Sequence, residues 1–155
     1  MRIGFGYDVH AFAAGRELWL GGVRIEYSMG LLGHSDADVL IHAVCDALLG
    51  AASMRDIGYH FPDTSNEYEN IDSKILLRRT MELLRNAGYK LGNIDATIVA
   101  EQPKLSPHIP AMQQAMAEAM QVSPNDVSIK ATTSEKLGFT GRSEGIAAYA
   151  VALID

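Results

Sequence analysis

The pattern of apolar and polar residues along this chain changes period several times, and each change predicts an element. Residues 1–10 read as a strand. Leu18–Leu20 and Val23–Ile25 flank Gly21 and Gly22, the signature of a hairpin whose two turn positions need φ above zero. From about Asp36 to Ala52 the period becomes helical, with Val39, Ala43, Val44, Ala47, Leu48 and Ala51 on one side. Residues 58–70 mix Gly, Pro, Asp, Ser and Asn with little periodicity, which predicts a mobile loop of the kind that closes over substrates. A second helix is expected from Asp72 or Ser73 to near Gly88, a residue suited to the position after a helix end.

The second half alternates in the same way. Ile94, Ala96, Ile98 and Ala100 alternate with Asp95, Thr97, Val99 and Glu101, a strand expected to stop at Pro103. Ser106 is expected to cap a helix with Pro107 in its first turn, and Met112, Met116 and Met120 line one side of it as core filling. Residues 127–134 read as a strand ending in hydroxyls, followed by a glycine-rich turn. Residues 146–154 are apolar on both faces, which suits a doubly buried strand or a core helix; the preceding Gly145 and the short length favour a strand. Both faces of such a strand must be covered, and in a chain this small a second subunit is a natural cover.

Composition narrows the class. A chain of 155 residues suits one domain spanning residues 1–155, burying roughly 68–70% of its unfolded surface. A net charge of −6 with thirteen scattered Lys and Arg argues against broad nucleic-acid binding, which needs a basic face. A phosphate ligand would therefore be recruited locally, by metal ions, helix N-termini and a few placed cations. No apolar run approaches the ~18 residues of a membrane span, and the first ten residues carry a polar motif instead of a signal peptide, so a cytoplasmic location is expected. The single Cys45 has no partner in the chain and reads as a small core residue.

The candidate chemistry lies in two motifs, GFGYDVH and HSDADVLIH. Side chains two apart on a strand point the same way, so Asp8 and His10 share a face. With His42 they make one carboxylate and two imidazoles, a set suited to zinc with its fourth position open, as in catalytic sites. Asp-x-His alone also fits any exposed strand face, and a lone helix histidine is more often hydrogen-bonded than metal-bound. If the helix begins near Asp36, Asp38, His42 and Asp46 share a face, and either acid is placed to accept the second ring N–H of His42.

Five motifs in order, GFGYDVH, HSDADVLIHAVCDALLGA, DIGYHFPDT, PKLSPHIP and ATTSEKLGFTGRSEGIA, resemble the 2-C-methyl-D-erythritol 2,4-cyclodiphosphate synthases of the non-mevalonate isoprenoid pathway, essentially end to end. The resemblance implies an α+β domain with a mixed four-stranded sheet covered on one side by helices, assembled as a homotrimer with active sites at subunit interfaces. It implies zinc on Asp8, His10 and His42, and a second divalent ion, magnesium or manganese, on Glu135. It implies a substrate, 4-diphosphocytidyl-2-C-methyl-D-erythritol 2-phosphate, whose 2-phosphate attacks the β-phosphorus to close a cyclic diphosphate and release CMP.

The same resemblance assigns contacts. His34 and Ser35 match the pair at the 2-phosphate and erythritol end, and His34 and Thr133 the catalytic positions; Asp8 and His10 also face the substrate. Asp56, Ile57 and Gly58 match ribose contacts, and Phe61, Pro62, Asp63, Thr64 and Ser65 the adjoining loop. Ala100, Glu101, Gln102, Pro103, Lys104, Leu105 and Ser106 resemble a cytosine pocket lent by the neighbouring subunit. Thr132, Thr133, Ser134 and Glu135 match phosphate and metal contacts, while Phe139 and Arg142 resemble residues of an axial cavity that accepts prenyl diphosphates; Arg142 with Glu144 equally suits an interfacial salt bridge. Ser65, Ser134 and Leu105 depart from residues common in the family at those places. Two other classes share the ligand set: a metal-dependent phosphohydrolase, and a trimeric protein that binds prenyl diphosphate without turnover. His60 and His108 gain no role and read as surface or structural histidines.

Overall fold

The computed structural model describes residues 1–155. Its strands are β1 (Arg2–Ala13), β2 (Leu18–Leu20), β3 (Val23–Ile25), β4 (Gly30–Leu31), β5 (Leu91–Val99), β6 (Val127–Thr132) and β7 (Gly145–Ile154). Its helices are α1 (Val39–Ala51), α2 (Ile57–His60), α3 (Ser73–Asn86), α4 (Ile109–Met120) and α5 (Gly138–Gly141). The main sheet runs β4–β1–β7–β5–β6, antiparallel except for the parallel pair β5–β6, and β2–β3 form a separate hairpin. The expected four strands are thus corrected to five. Phe12 and Ala13 carry β1 past residue 10 and pair with Leu31 and Gly30, a two-residue edge too short to show periodicity.

Elsewhere the elements follow the residues. Gly21 and Gly22 turn the hairpin at φ +58° and +75°. Residues 146–154 form a strand, with Ile146, Ala148, Ala150, Ala152 and Ile154 buried beneath the helices. Three expectations need correction. α1 begins at Val39, not near Asp36, because Ala37 adopts φ +56° and Asp38 caps the helix by accepting from the Ile41 N–H. Ser106 does not cap a long helix; it starts a single 3₁₀ turn without a side-chain cap bond, and α4 follows at Ile109. The stretch 58–70 is not a structureless loop, since α2 and a 3₁₀ turn at Asn66–Tyr68 lie within or across it, capped by Asp56 and Ser65.

Two glycines decide how the layers meet. A Cβ on Gly4 would lie 1.9 Å from the Ala47 carbonyl oxygen, and one on Gly6 1.8 Å from that of Ala43. β1 therefore touches the backbone of α1 directly, with no side chain between them. β1 residues at even positions face α1, and the apolar core of α1, α3 and α4 lies on this one side of the sheet. No helix is long and apolar enough to cross a membrane.

This contact yields a prediction. Gly6→Ala has no space to fill and is expected to cost at least the ~3 kcal/mol of a severe overpacking, or to prevent folding. Gly50→Ala, a control within α1 where the nearest atom to a new Cβ is 4.0 Å away, is expected to stabilise by roughly 0.5–1 kcal/mol. Denaturant unfolding of the two variants reads both, and a Gly6→Ala protein as stable as the parent would contradict the packing.

Candidate active site

The two candidate ligands on β1 arise from period two. Positions 4, 6, 8 and 10 of β1 face α1, and α1 runs so that Ala47 lies over Gly4 and Ala43 over Gly6. The next step brings His42 beside Asp8 and His10. Asp8 Oδ2 lies 3.0 Å from His10 Nε2 and 3.1 Å from His42 Nδ1, and the two ring nitrogens are 3.3 Å apart. A tetrahedral zinc with bonds of roughly 2.0–2.1 Å spaces its ligand atoms about 3.3–3.4 Å apart, so this triangle fits such an ion after a slight expansion. These three residues form the one group of acid and histidine side chains in the chain arranged to hold a metal ion.

The electrostatics follow from the crowding. Burial works against the Asp8 carboxylate, but hydrogen bonds and charge from His10 and His42 outweigh it and hold its pKa far below the usual range. Burial likewise disfavours a charged His10, yet the hydrogen bond and charge of Asp8 prevail and raise its pKa.

The expected partners of His42 are wrong. Asp38 is fully buried and turned away, accepting from the backbone N–H groups of Gly21, Gly22 and Ile41, so it fastens the hairpin to α1. Asp46 accepts from the Ile57 N–H at 2.8 Å and holds α2 over the site. His42 Nε2 instead faces two hydroxyls, Ser73 Oγ at 3.0 Å and Ser35 Oγ at 3.1 Å. Ser73 in turn donates to Asp36. His10 Nδ1 lies 2.8 Å from the Leu32 carbonyl oxygen. Ser73 and Asp36 escape sequence reading because a serine at the start of a helix is read as part of its cap.

The cluster opens into a cavity of about 260 Å³. His10, His34, Ser35 and His42 line one side, and Ile57, Gly58, Phe61 and Asp63 the other, with Tyr68 and Leu76, two residues the sequence had not singled out. His34 Nε2 is held 3.1 Å from the Ser65 carbonyl oxygen, and Asp56 caps α2 behind Gly58. Pro62, Thr64 and Ser65 do not line this cavity. His60 is structural, with its Nε2 2.7 Å from the Met54 carbonyl oxygen.

A second cavity, of about 380 Å³, is lined by Ala100 through Ser106 together with Ala131, Thr132 and Thr133. Both cavities lie toward one end of the sheet, because β1, β5 and β6 all run to that end and His10 and Val99 sit level across β7, opposite Ile146 and Ala147. Glu101 closes the second site from behind, accepting from the Ser134 and Lys136 N–H groups at 3.2 and 3.0 Å. Between them Glu135 takes φ +54°, followed by Lys136 at +64°, a backbone conformation that side chains disfavour and that a clamp must hold. Glu135 stands apart from the Asp8 cluster; its Oε1 accepts from Thr133 Oγ1 at 3.2 Å. Phe139 and Arg142 line neither cavity, and Arg142 pairs with Glu144 at 2.9 Å on the surface.

The sequence profile of the YgbB family matches residues 1–155. A 2-C-methyl-D-erythritol 2,4-cyclodiphosphate synthase of Parabacteroides distasonis is 74% identical over 154 residues, covering 99% of this chain and 96% of its own. One of Bacteroides thetaiotaomicron is 70% identical over 155 residues, covering 100% and 98%. Among solved structures, a CDP-bound 2C-methyl-D-erythritol-2,4-cyclodiphosphate synthase superposes with a TM-score of 0.91 at 36% identity, covering 99% of this chain and all of that one. The bifunctional IspDF of Campylobacter jejuni gives 0.95 at 43% identity, covering 99% of this chain, which spans 42% of that longer protein. The chain belongs to the YgbB family of 2-C-methyl-D-erythritol 2,4-cyclodiphosphate synthases.

Proposed function

We propose that this chain, as one domain over residues 1–155, converts 4-diphosphocytidyl-2-C-methyl-D-erythritol 2-phosphate to 2-C-methyl-D-erythritol 2,4-cyclodiphosphate and CMP. The observation that carries the reading is the Asp8–His10–His42 triangle, which opens into a cavity in a chain of this family. Phosphoryl transfer leaves little covalent work for side chains, so rate comes from alignment and from neutralising phosphoryl oxygens. Zinc held by Asp8, His10 and His42 would supply Lewis-acid stabilisation and a template for the diphosphate. His34 and Ser35 hold the attacking 2-phosphate end. Ile57, Gly58 and Phe61 line the cavity, and the reaction needs water kept out, since water would divert it to a linear phosphate. Thr132 and Thr133 contact the phosphates, and the oxygens of Glu135 suit a second, hard cation such as magnesium or manganese.

The cytosine would lie in the Ala100–Ser106 cavity of a neighbouring copy. The sheet face away from the helices supports such an assembly. It leaves Ile3 71% and Phe5 63% exposed, with Tyr7, Val9, Tyr149 and Val151 beside them, an apolar surface continuous across β1 and β7. Three copies packed by these faces would bury it and set each Asp8 cluster near a neighbour's nucleotide cavity. Phe139, 36% exposed and close in sequence to Arg142, offers an apolar and a cationic contact for a prenyl diphosphate at the axis of that trimer.

Incubation with the cytidyl substrate should give CMP and a cyclic diphosphate identified by mass; a linear phosphate product would make the chain a hydrolase instead. His42→Ala should lose bound zinc and activity yet still assemble. Trimers mixing His42→Ala chains with chains blocked by Ala100→Trp should regain part of the activity that each lacks alone. Verified mixed trimers without recovery would place each site within one chain.

The ligand pKa values set a pH dependence. Metal binding needs neutral imidazoles, and His10 is raised above the ordinary ~6.5, so as pH drops zinc affinity should begin to fall before a free histidine would protonate. In metal-free protein the sign reverses. The raised His10 contributes stability that is present below ~6.5 and lost as pH rises through its folded value. The depressed Asp8 contributes stability present above ~3.9 and lost as pH falls. Asp8→Asn should therefore flatten the stability–pH curve of the metal-free chain above pH ~6.5. An unchanged slope would show that the pair is not coupled.

A further inference from the structure

The two histidines of the cluster offer different nitrogens, Nε2 from His10 and Nδ1 from His42, and each must present a bare lone pair to a metal. For His10 the outer partner settles the matter. A carbonyl oxygen only accepts, so Leu32 holds a proton on Nδ1 and lets Nε2 give its lone pair to a metal, although Asp8 Oδ2 lies 3.0 Å from Nε2 as well. His42 has no such guide, because its Nε2 faces hydroxyls, and a hydroxyl both donates and accepts. If either serine donated to Nε2, the proton would move to Nδ1, on the side where the metal must bind. Asp8 Oδ2, 3.1 Å from Nδ1, favours that wrong form in the metal-free protein.

We infer that Asp36 and Ser73 are positioning residues that fix His42 in its metal-binding tautomer. Ser73 Oγ is committed, since it donates its one proton to Asp36 Oδ1. What remains toward His42, 3.0 Å away, is a lone pair, which accepts from Nε2–H and leaves Nδ1 bare. Asp36 is itself fixed: its other oxygen accepts from the Ser73 N–H at 2.9 Å, and Oδ1 also accepts from the Asp38 N–H at 3.1 Å. Ser73 is fully buried, so water does not compete for its hydroxyl. Ser35 does not fix the form. Its oxygen accepts from the Ala37 N–H at 3.2 Å, but its proton has no anionic partner and stays free to turn. The relay runs from carboxylate through hydroxyl to imidazole, one bond longer than the direct carboxylate–imidazole contact usual at such ligands.

The inference rests on the proposed metal site, and the test keeps the two apart. Zinc dissociation constants would be measured by competition with a chromophoric chelator, on purified full-length protein checked for folding by circular dichroism. Ser73→Ala retains the backbone N–H that Asp36 accepts, and so removes only the hydroxyl. It should weaken zinc binding about 10–100-fold, the range for loss of a ligand's outer partner. Asp36→Asn should weaken it comparably, because an amide N–H turned toward Ser73 lets that hydroxyl donate to His42. In a Ser73→Ala background Asp36→Asn should add little, since it acts through the missing hydroxyl. A merely structural Asp36 would give additive losses, which would overturn its part in the relay. A folded Ser73→Ala protein binding zinc within about twofold of the parent would overturn the whole inference, and decides the matter alone if Asp36→Asn does not fold. A parent chain that binds no zinc, or a His42→Ala chain that binds it as tightly, would sink the metal reading instead.

Discussion

A Cβ on Gly6 would sit 1.8 Å from the Ala43 carbonyl oxygen, and the close approach this glycine permits fixes how far His42 stands from Asp8 and His10. Side chains between β1 and α1 would lift the helix by several ångströms and open the ligand triangle beyond the reach of one ion. A packing requirement and a chemical one are thus met by the same two-residue period: glycine at 4 and 6 to admit the helix, candidate ligands at 8 and 10 to meet it. Gly33 continues the theme, since a Cβ there would come 3.1 Å from the His10 ring.

Around that contact three acids, Asp38 buried and Asp36 and Asp46 half-buried, divide the work. Asp38 holds the β2–β3 hairpin, Asp46 holds α2, and Asp36 holds the start of α3, each by accepting backbone N–H groups. Three acids from one short motif thereby tie three separate segments around His42. Glu101 does the same at the Ala100–Ser106 cavity, where one of its carboxylate oxygens steadies the left-handed pair Glu135 and Lys136.

How much of this was legible in the sequence depended on how local the cause was. The hairpin, the three main helices and the four long strands follow from period and turn chemistry, and so does the shared face of Asp8 and His10, while the place of His42 beside them depends on how β1 packs on α1. The two-residue β4 left no pattern, and α2 is too short to show one. The exchange of roles among Asp36, Asp38 and Asp46 was illegible for a different reason. One left-handed residue, Ala37, delays α1 and turns Asp38 toward the hairpin, while Asp36 meets Ser73 across 37 positions of chain. No spacing rule foretells a partner at that distance. The assignments of Asp56 to Ser65, Ala100 to Ser106 and Thr132 to Arg142 came from family resemblance, and the fold gathers many of them into two cavities at one end of the sheet.

The central claim is that Asp8, His10 and His42 hold one metal ion with its remaining face toward the cavity. Anomalous diffraction at the zinc edge, from crystals grown with zinc, tests it most directly. The account predicts one peak per chain, about 2.0–2.2 Å from Asp8 Oδ2, His10 Nε2 and His42 Nδ1. A chain without a peak there, or a peak bound through the opposite nitrogen of either histidine, would contradict it.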